Sequence, residues 1–269
     1  MKTILITGST DGIGLETARK LFSLGHRVLL HGRSQEKLRA VIETLQDFPG
    51  SGPVESYVAD LSRLVEVESF AAAILEKHDH LDVIINNAGV YSAHVATTPD
   101  GLDLRFAVNT IVPYLLTKRL LPLLNTEGRV INLSSAAQSP VELEALRGNR
   151  PINDGEAYAQ SKLALTMWTG GLAASLGDIG PTLIAVNPGS FLGSKMVKEA
   201  YGMAGKDLSI GANILTRAAL DDEFANASGK YFDNDAEEFG YPHPDALNAT
   251  KMANLIVEIE AILSAKLSA

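Results

Sequence analysis

The chain has 269 residues, a formal net charge of −9 and no cysteine. The acidic excess argues against nucleic acid as a partner, because phosphate binding requires clustered Lys and Arg side chains. The absence of cysteine excludes disulfide bonds and thiolate metal ligands, and the six histidines lack the spacing of a zinc site, so no metal is expected.

The N-terminal stretch MKTILITGST contains an apolar run that is too short for the core of a signal peptide. No stretch of the sequence approaches the roughly 18 apolar residues of a membrane-spanning helix. Together these features predict a soluble, cytoplasmic protein without a membrane span.

Short apolar runs rich in Ile and Val alternate with longer amphipathic stretches. The runs predicted as strands are 3–7, 27–31, 53–59, 81–86, 128–134, 182–187 and, last and shortest, 229–232. The stretches predicted as helices begin near Ile13 and at 34, 62, about 100 and about 154, and end with a terminal helix that contains Met252, Ile256, Ile259 and Leu263. This alternation predicts an α/β fold with a doubly wound, mostly parallel sheet, in a single domain over residues 1–269.

The first strand is followed by TGSTDGIG at residues 7–14, where Gly8, Gly12 and Gly14 leave the backbone bare. Such a turn from strand to helix lets a pyrophosphate approach the helix N-terminus. The alternative is a tight turn that binds nothing. A dinucleotide site is favoured, because the turn follows the first strand, opens the first helix and starts the series of β-α-β units.

The spacing GxxxGxG resembles the turn of the short-chain dehydrogenase/reductase family, and other motifs of that family follow in order. They are AD at 59–60, NNAG at 86–89, VN at 108–109, NLSS at 132–135, YAQSK at 158–162 and NPG at 187–189. The resemblance covers essentially the whole chain. It implies a Rossmann-type fold and an oxidoreductase that interconverts a carbonyl compound and an alcohol with a nicotinamide cofactor.

The end of the second strand, HGRSQEKL, bears on the choice of cofactor. A carboxylate there would bind the adenosine ribose and repel a 2′-phosphate, but Gly32 occupies that place and Arg33 follows it. The Arg33 guanidinium can pair with a 2′-phosphate, and Ser34 can add a hydroxyl. Asp11 is a counterargument, since relatives that prefer NADP often carry a basic residue near that point. We expect NADP(H) in preference to NAD(H).

The resemblance implies further cofactor contacts. Asp60 resembles the residue that contacts adenine, although it could instead cap the next helix, and Asn87 could be a plain turn residue. The residues expected to bind the cofactor are Gly8, Ser9, Asp11, Gly12, Ile13, Gly14, Arg33, Ser34, Asp60, Leu61, Asn87, Ala88, Gly89, Tyr158, Lys162, Pro188 and Gly189.

Tyr158 and Lys162 lie one turn apart on one face of the helix predicted at about 154–177. A phenol is a poor acid–base catalyst at neutral pH, but a nearby ammonium favours its ionised form. The pair resembles the family's catalytic Tyr and Lys, in which the tyrosine protonates the carbonyl oxygen. Ser135 resembles the serine that hydrogen-bonds this oxygen, although Ser134 is adjacent.

A second pair with the same spacing, Tyr114 and Lys118, is expected to be structural, with a partly buried ring and a solvated amine. Asn109 stands four residues before Pro113, so its carbonyl loses a helical partner and the turn opens. In the family the corresponding Asn holds a water that connects to the catalytic Lys, and Asn109 is therefore placed in the catalytic set. An ordinary proline kink is the alternative.

Two segments bear on the substrate. The insert at 136–157, between Ser135 and Tyr158, resembles the branch of the family that contains retinol dehydrogenases. The segment at about 189–228 is expected to be a lid that favours an apolar carbonyl or alcohol, or else a helical pair that fills the core. Rival functions are a non-catalytic NADP(H)-sensing protein, an NAD-dependent alcohol dehydrogenase, and a sugar-nucleotide epimerase.

Two adjacent glycines, Gly170 and Gly171, lie inside the helix that carries Tyr158. Glycine in a helix costs about 1 kcal/mol relative to alanine, so the pair requires a compensating contact. Members of the family commonly pair this helix across a two-fold axis, which predicts a homodimer or tetramer. The alternative is close packing of the glycines within one subunit.

Overall fold

The computed structural model describes residues 1–47, 52–92 and 95–268, and the side chains of 200 and 201 lie outside this description, as does His94. The chain forms a single domain built on one eight-stranded sheet, in the order β3-β2-β1-β4-β5-β6-β7-β8. All neighbouring strands are parallel except the last pair. The predicted doubly wound, mostly parallel fold is therefore confirmed.

The strands and helices follow the predicted alternation. The strands are β1 Thr3–Ile6, β2 Arg27–Gly32, β3 Val54–Val58, β4 Val83–Asn86, β5 Arg129–Leu133, β6 Thr182–Asn187, β7 Tyr231–Asp233 and β8 Glu238–Gly240. The α-helices are α1 Gly12–Ser23, α2 Gln35–Gln46, α3 Leu64–Lys77, α4 Leu104–Phe106, α5 Val112–Leu120, α6 Leu143–Leu146, α7 Asp154–Leu176, α8 Lys195–Tyr201, α9 Leu208–Leu220 and α10 Ala249–Leu267. Within the described part of the chain, none of these helices combines the length and apolar character that a membrane crossing requires.

Successive side chains of the strands point to opposite faces of the sheet and build two separate cores. In β1, Leu5 packs with the core formed by α3, α5, α7 and α10. Its neighbours Ile4 and Ile6 pack with the core formed by α1, α2 and α9. Because both faces of the sheet are covered, strands such as β1, β4 and β6 are largely apolar on both faces, which is the feature that the sequence displays.

Two of the elements that differ from the sequence prediction are the helix over about 100–124 and the strand β8. The helix predicted over about 100–124 is divided into α4, a π-helical turn at Ala107–Ile111, α5, and a 3₁₀ turn at Leu121–Leu123. The antiparallel strand β8 was not predicted, because Glu238–Gly240 has only three residues and is defined by its pairing with β7.

The expected lid at about 189–228 consists of two parts with different surroundings. Helix α9 packs against α1, and its Ile214 and Leu215 are fully buried, so this part belongs to the core. Helix α8 instead places Met196 and Glu199 on a cleft at one edge of the sheet. We therefore keep the lid proposal for the part that precedes α9.

The glycine pair in α7 contacts the terminal helix of the same chain. A Cβ atom on Gly171 would lie 2.7 Å from Ile256 Cδ1, and one on Gly170 would lie 3.3 Å from Met252 Sδ. The expectation that these glycines leave room for the backbone of a second copy is wrong, because α10 fills that room. Association of copies through another surface stays a prediction.

Replacing Gly171 by leucine is expected to lower the free energy of unfolding by about 1–3 kcal/mol, because the new side chain overpacks the contact with Ile256. Urea denaturation measures the loss. Ala174→Leu, at an exposed position of the same helix, is the control and should change stability little. Adding Ile256→Ala to Gly171→Leu should recover part of the loss, since the two sites are in contact. Unchanged stability with a lower mass in light scattering would support the interface between copies instead.

Candidate active site

A cleft of about 440 Å³ opens at the carboxyl ends of β1, β2, β3 and β4, where ligands bind in open α/β sheets. Most of the residues expected to bind a cofactor line it. They are Gly8, Asp11, Gly12, Ile13, Gly14, Arg33, Asp60, Leu61, Asn87, Ala88, Gly89, Tyr158, Lys162 and Pro188. The cleft thus runs from the glycine turn to the Tyr158–Lys162 pair.

The glycine turn is held in a shape that side chains would prevent. Gly8 and Gly12 have φ values of 65° and 58°, which L side chains rarely adopt. A Cβ atom on Gly14 would lie 2.4 Å from the Gly8 carbonyl oxygen. Asn87 fixes the turn from the side, because its Nδ2 donates to the carbonyls of Thr7 at 2.8 Å and Gly8 at 3.1 Å.

Three of the expected cofactor residues do not line this cleft. The fully buried Ser9 accepts a hydrogen bond from His31 N at 2.9 Å and so ties β1 to β2. Ser34 caps α2 by accepting from Lys37 N at 3.3 Å. Gly189 lines a smaller neighbouring cavity. The hydroxyl of Ser9 therefore points into the protein, and a contact between Ser9 and the cofactor stays a prediction.

His31, which the sequence analysis missed, supports the glycine turn from below. Its Nδ1 accepts from Gly8 N at 3.1 Å, and its Nε2 lies 3.1 Å from the Ala59 carbonyl oxygen. These partners require a neutral ring protonated at Nε2. Burial lowers the pKa of His31 to about 4, which keeps it neutral at physiological pH. The sequence held one indication of this role, because His31 is a polar residue in the otherwise apolar run VLLH.

Lys162 is almost fully buried beneath Tyr158. Its Nζ lies 5.6 Å from the centre of the Tyr158 ring and donates to the Leu133 carbonyl oxygen at 2.6 Å. Burial lowers the pKa of the ammonium from 10.5 to about 8. On the other side, the ring of Tyr91 packs against that of Tyr158 with 5.1 Å between centroids.

Residues 2–204 match the family model described as short chain dehydrogenase. The chain belongs to the short-chain dehydrogenase/reductase family. Human retinol dehydrogenase 13 is 34% identical over 251 residues, which cover 86% of this chain and 76% of that protein. With retinol dehydrogenase 11 at 36% identity over 206 residues, this similarity agrees with the retinol dehydrogenase-like branch indicated by the insert.

Solved structures share the fold of this chain. An uncharacterized protein from Mycobacterium paratuberculosis superimposes with a TM-score of 0.81 at 28% identity, over 98% of this chain and 94% of that one. A metagenomic short-chain oxidoreductase in complex with NADP gives a TM-score of 0.60 at 31% identity, over 81% of this chain and 90% of that one.

In this family member the two adjacent serines have different surroundings. Ser134 is buried, and its Oγ shares a hydrogen bond of 2.7 Å with Thr166 Oγ1. Ser135 is half-buried and lines a second cavity of about 170 Å³ together with Tyr158. The Ser135 carbonyl accepts from Tyr231 Oη at 3.3 Å, which anchors the segment that follows β5.

Asn109 lies within the π-helical turn that precedes Pro113, so the helix widens where the proline was expected to open it. The Asn109 side chain is fully engaged. Its Oδ1 accepts from Val90 N at 2.8 Å, and its Nδ2 donates to Val90 O at 2.9 Å and to Ser161 Oγ at 3.0 Å. Asn109 therefore clamps the segment after β4 onto the helix that carries Tyr158, one residue from Lys162.

The second Tyr–Lys pair of this family member lies away from the cleft. Tyr114 is 1% exposed, and its hydroxyl donates to Glu260 Oε1 at 2.5 Å. Lys118 Nζ lies 3.6 Å from the same carboxylate. Neither residue lines the cleft, and Tyr114 is more deeply buried than predicted because α10 covers it.

Two polar residues near Arg33 also line the cleft and were not predicted. Lys37 lies in the first turn of α2, and Thr10 lies in the glycine turn. A Cβ atom on Gly32 would lie 2.6 Å from Thr10 Cγ2, so a carboxylate at position 32 would displace Thr10. This edge of the cleft therefore presents two cationic side chains.

The low pKa of Lys162 predicts how stability depends on pH. The folded protein binds this proton more weakly than the unfolded chain, so the cost of the buried charge is present below pH 8 and disappears as the pH rises to about 10.5. One pKa unit corresponds to about 1.4 kcal/mol, so the gain is roughly 3 kcal/mol. Urea denaturation of the unchanged protein and of Lys162→Met, compared from pH 7.5 to 10.5, should show this gain as a difference. Parallel pH profiles would contradict the assignment.

Proposed function

We propose that the protein is an NADP(H)-dependent oxidoreductase that interconverts a carbonyl compound and an alcohol, with Tyr158 as the general acid and base. The observation that carries the proposal is the position of Tyr158 over the buried Lys162, at one end of the cleft that begins at the glycine turn. Family relatives solved with NADP support the nature of the cofactor.

The residues of the cleft fit a dinucleotide. The bare turn at Gly8, Gly12 and Gly14 offers the close backbone approach that a pyrophosphate requires. Arg33 and Lys37 can both pair with a 2′-phosphate, which favours NADP(H) over NAD(H). When bound, the cofactor supplies or accepts a hydride at the substrate carbon. Asp11, whose side chain accepts from Gly12 N at 2.7 Å, acts as a helix cap and leaves this phosphate site to the two cations.

The chain's own residues handle the proton. Tyr158 and Ser135 both line the smaller cavity, where their hydroxyls can meet a substrate oxygen. Tyr158 donates its proton to that oxygen during reduction and removes it during oxidation. The Lys162 ammonium stabilises the resulting phenolate, and burial strengthens this interaction by excluding water. Asn109 is a positioning residue that holds the helix of Tyr158 in place.

The smaller cavity favours an apolar substrate. Its walls beyond Tyr158 and Ser135 include Ile13, Leu192 and Val197, and its volume of about 170 Å³ suits part of a small molecule. The proposed substrate class is therefore an apolar aldehyde, ketone or the matching alcohol.

The test is NADPH oxidation, followed by absorbance, against a panel of apolar and polar aldehydes and ketones. We expect turnover of apolar carbonyl compounds, with slower turnover when NADH replaces NADPH. Tight NADPH binding without turnover of any carbonyl would instead support a sensing protein. Faster turnover with NADH would favour the NAD-dependent alcohol dehydrogenase.

A further inference from the structure

Phe191 has a backbone conformation that is unusual for its residue type. Its φ is 56°, and among the described residues Glu237 is the other non-glycine with a positive φ. The left-handed region brings Cβ close to the carbonyl oxygen and is unfavourable for aromatic residues. Strain of this kind persists where the surrounding structure imposes it, and it often marks a functional position.

The backbone around Phe191 is held from two sides. Its carbonyl accepts from Lys206 N at 2.7 Å, and Gly193 N donates to Lys206 O at 2.7 Å. Gly205 crosses this segment so closely that a Cβ atom on it would lie 2.6 Å from Gly193 N. These contacts fix the segment at its downstream end.

The upstream end is fixed by a carboxylate. Ser190 N donates to Asp235 Oδ1 at 2.9 Å, and the Ser190 hydroxyl donates to the other oxygen of the same side chain. Asp235 also accepts from Asn187 Nδ2 at 3.0 Å, which links it to the end of β6. Hydrogen bonds of Ser190 on one side and of Gly193 on the other therefore hold the backbone of Phe191 in the left-handed conformation.

The left-handed conformation determines where the side chain of Phe191 lies. Leu192 is 2% exposed and packs near Ile13 and Gly211, whereas Phe191 is 48% exposed. Phe191 lines the smaller cavity together with Tyr158. Apolar surface left partly open beside a reacting group can be buried by a substrate, which strengthens binding.

We propose that Phe191 is a specificity-determining residue, which contacts the apolar part of the substrate beyond the carbonyl group. This inference rests on the proposed function. The hydrogen bonds of Ser190 and Gly193 hold the backbone of Phe191 in the left-handed region. This backbone conformation directs the ring of Phe191 to the wall of the smaller cavity. Phe191 takes no part in proton transfer.

The experiment compares Phe191→Ala and Phe191→Gly, which both remove the ring and differ only in their tolerance of a positive φ. Straight-chain aldehydes from propanal to decanal serve as substrates. In the unchanged protein, kcat/KM should rise with chain length. Both variants should lose about tenfold to a hundredfold in kcat/KM for decanal and little for propanal. Tyr241→Ala, at an exposed aromatic residue outside both cavities, should keep the chain-length preference.

Urea denaturation supplies a second readout that does not depend on turnover. Phe191→Gly should be more stable than Phe191→Ala, the reverse of the usual order, because glycine accepts the left-handed backbone. A chain-length preference retained in Phe191→Ala, or greater stability of the alanine variant, would overturn the inference and leave the proposed function standing. No turnover of any aldehyde by the unchanged protein would overturn both.

Discussion

Replacing Tyr158 by phenylalanine is expected to lower kcat by about a hundredfold to ten-thousandfold, the usual contribution of a positioned acid–base group. The change removes one hydroxyl and keeps the ring that packs against Tyr91, so fold and NADPH affinity should persist. Steady-state kinetics measure kcat, and fluorescence titration measures the dissociation constant of NADPH. A fall in kcat together with unchanged NADPH affinity would assign the proton to Tyr158.

Tyr114→Phe is the matched control for this experiment, because Tyr114 has the same spacing to a lysine. Its hydroxyl contacts Glu260 of α10, far from the cleft, so its loss should reduce stability more than turnover. Removing one hydrogen bond to a charged group costs about 1.5–3 kcal/mol. Equal loss of kcat in both variants would contradict the assignment of Tyr158.

Replacing Arg33 by alanine is expected to weaken NADPH binding about tenfold to a hundredfold and to leave NADH binding nearly unchanged. The reason is a charge-assisted contact with the 2′-phosphate, typically worth about 1.5–3 kcal/mol. Lys37→Ala should also weaken NADPH binding, since Lys37 lines the same end of the cleft. Titration of both cofactors at two salt concentrations measures the contact, which salt should weaken.

Arg39→Ala provides the control for the cofactor experiment. Arg39 lies on the same helix as Lys37 and is exposed, but it does not line the cleft. Its removal changes net charge equally without touching the proposed phosphate site. If Arg39→Ala weakened NADPH binding as much as Arg33→Ala, the preference would come from overall charge rather than from a specific contact.

Local patterns in the sequence were sufficient to predict much of the fold. The strand predicted at 182–187 is observed as Thr182–Asn187. A short apolar run between polar turns is typical of a buried strand, and all six residues of β6 are buried. The glycine turn was also predicted, since its spacing and its place after the first strand are both local properties. The helix predicted to begin at 34 is observed as Gln35–Gln46, with the hydroxyl of Ser34 as its N-terminal cap.

Contacts between distant parts of the chain could not be read from local patterns. Gly170 and Gly171 indicated that another element packs closely against α7. Whether this element is α10 or a second copy of the chain depends on the path of the chain after β8. His31 was missed for the same reason, because its partners Gly8 and Ala59 become its neighbours only when β1, β2 and β3 pair. The inward rotation of Ser9 follows from its hydrogen bond to His31, again a contact between strands.

The central claim is the transfer of a hydride to a carbonyl carbon while Tyr158 supplies the proton. The most direct test uses NADPH deuterated at both C4 positions of the nicotinamide, with a turned-over aldehyde and mass spectrometric analysis of the alcohol. The account predicts one deuterium on the carbinol carbon, formed by the unchanged protein and Tyr114→Phe and greatly reduced in Tyr158→Phe. Alcohol formed without deuterium, or labelled alcohol formed at full rate by Tyr158→Phe, would contradict it.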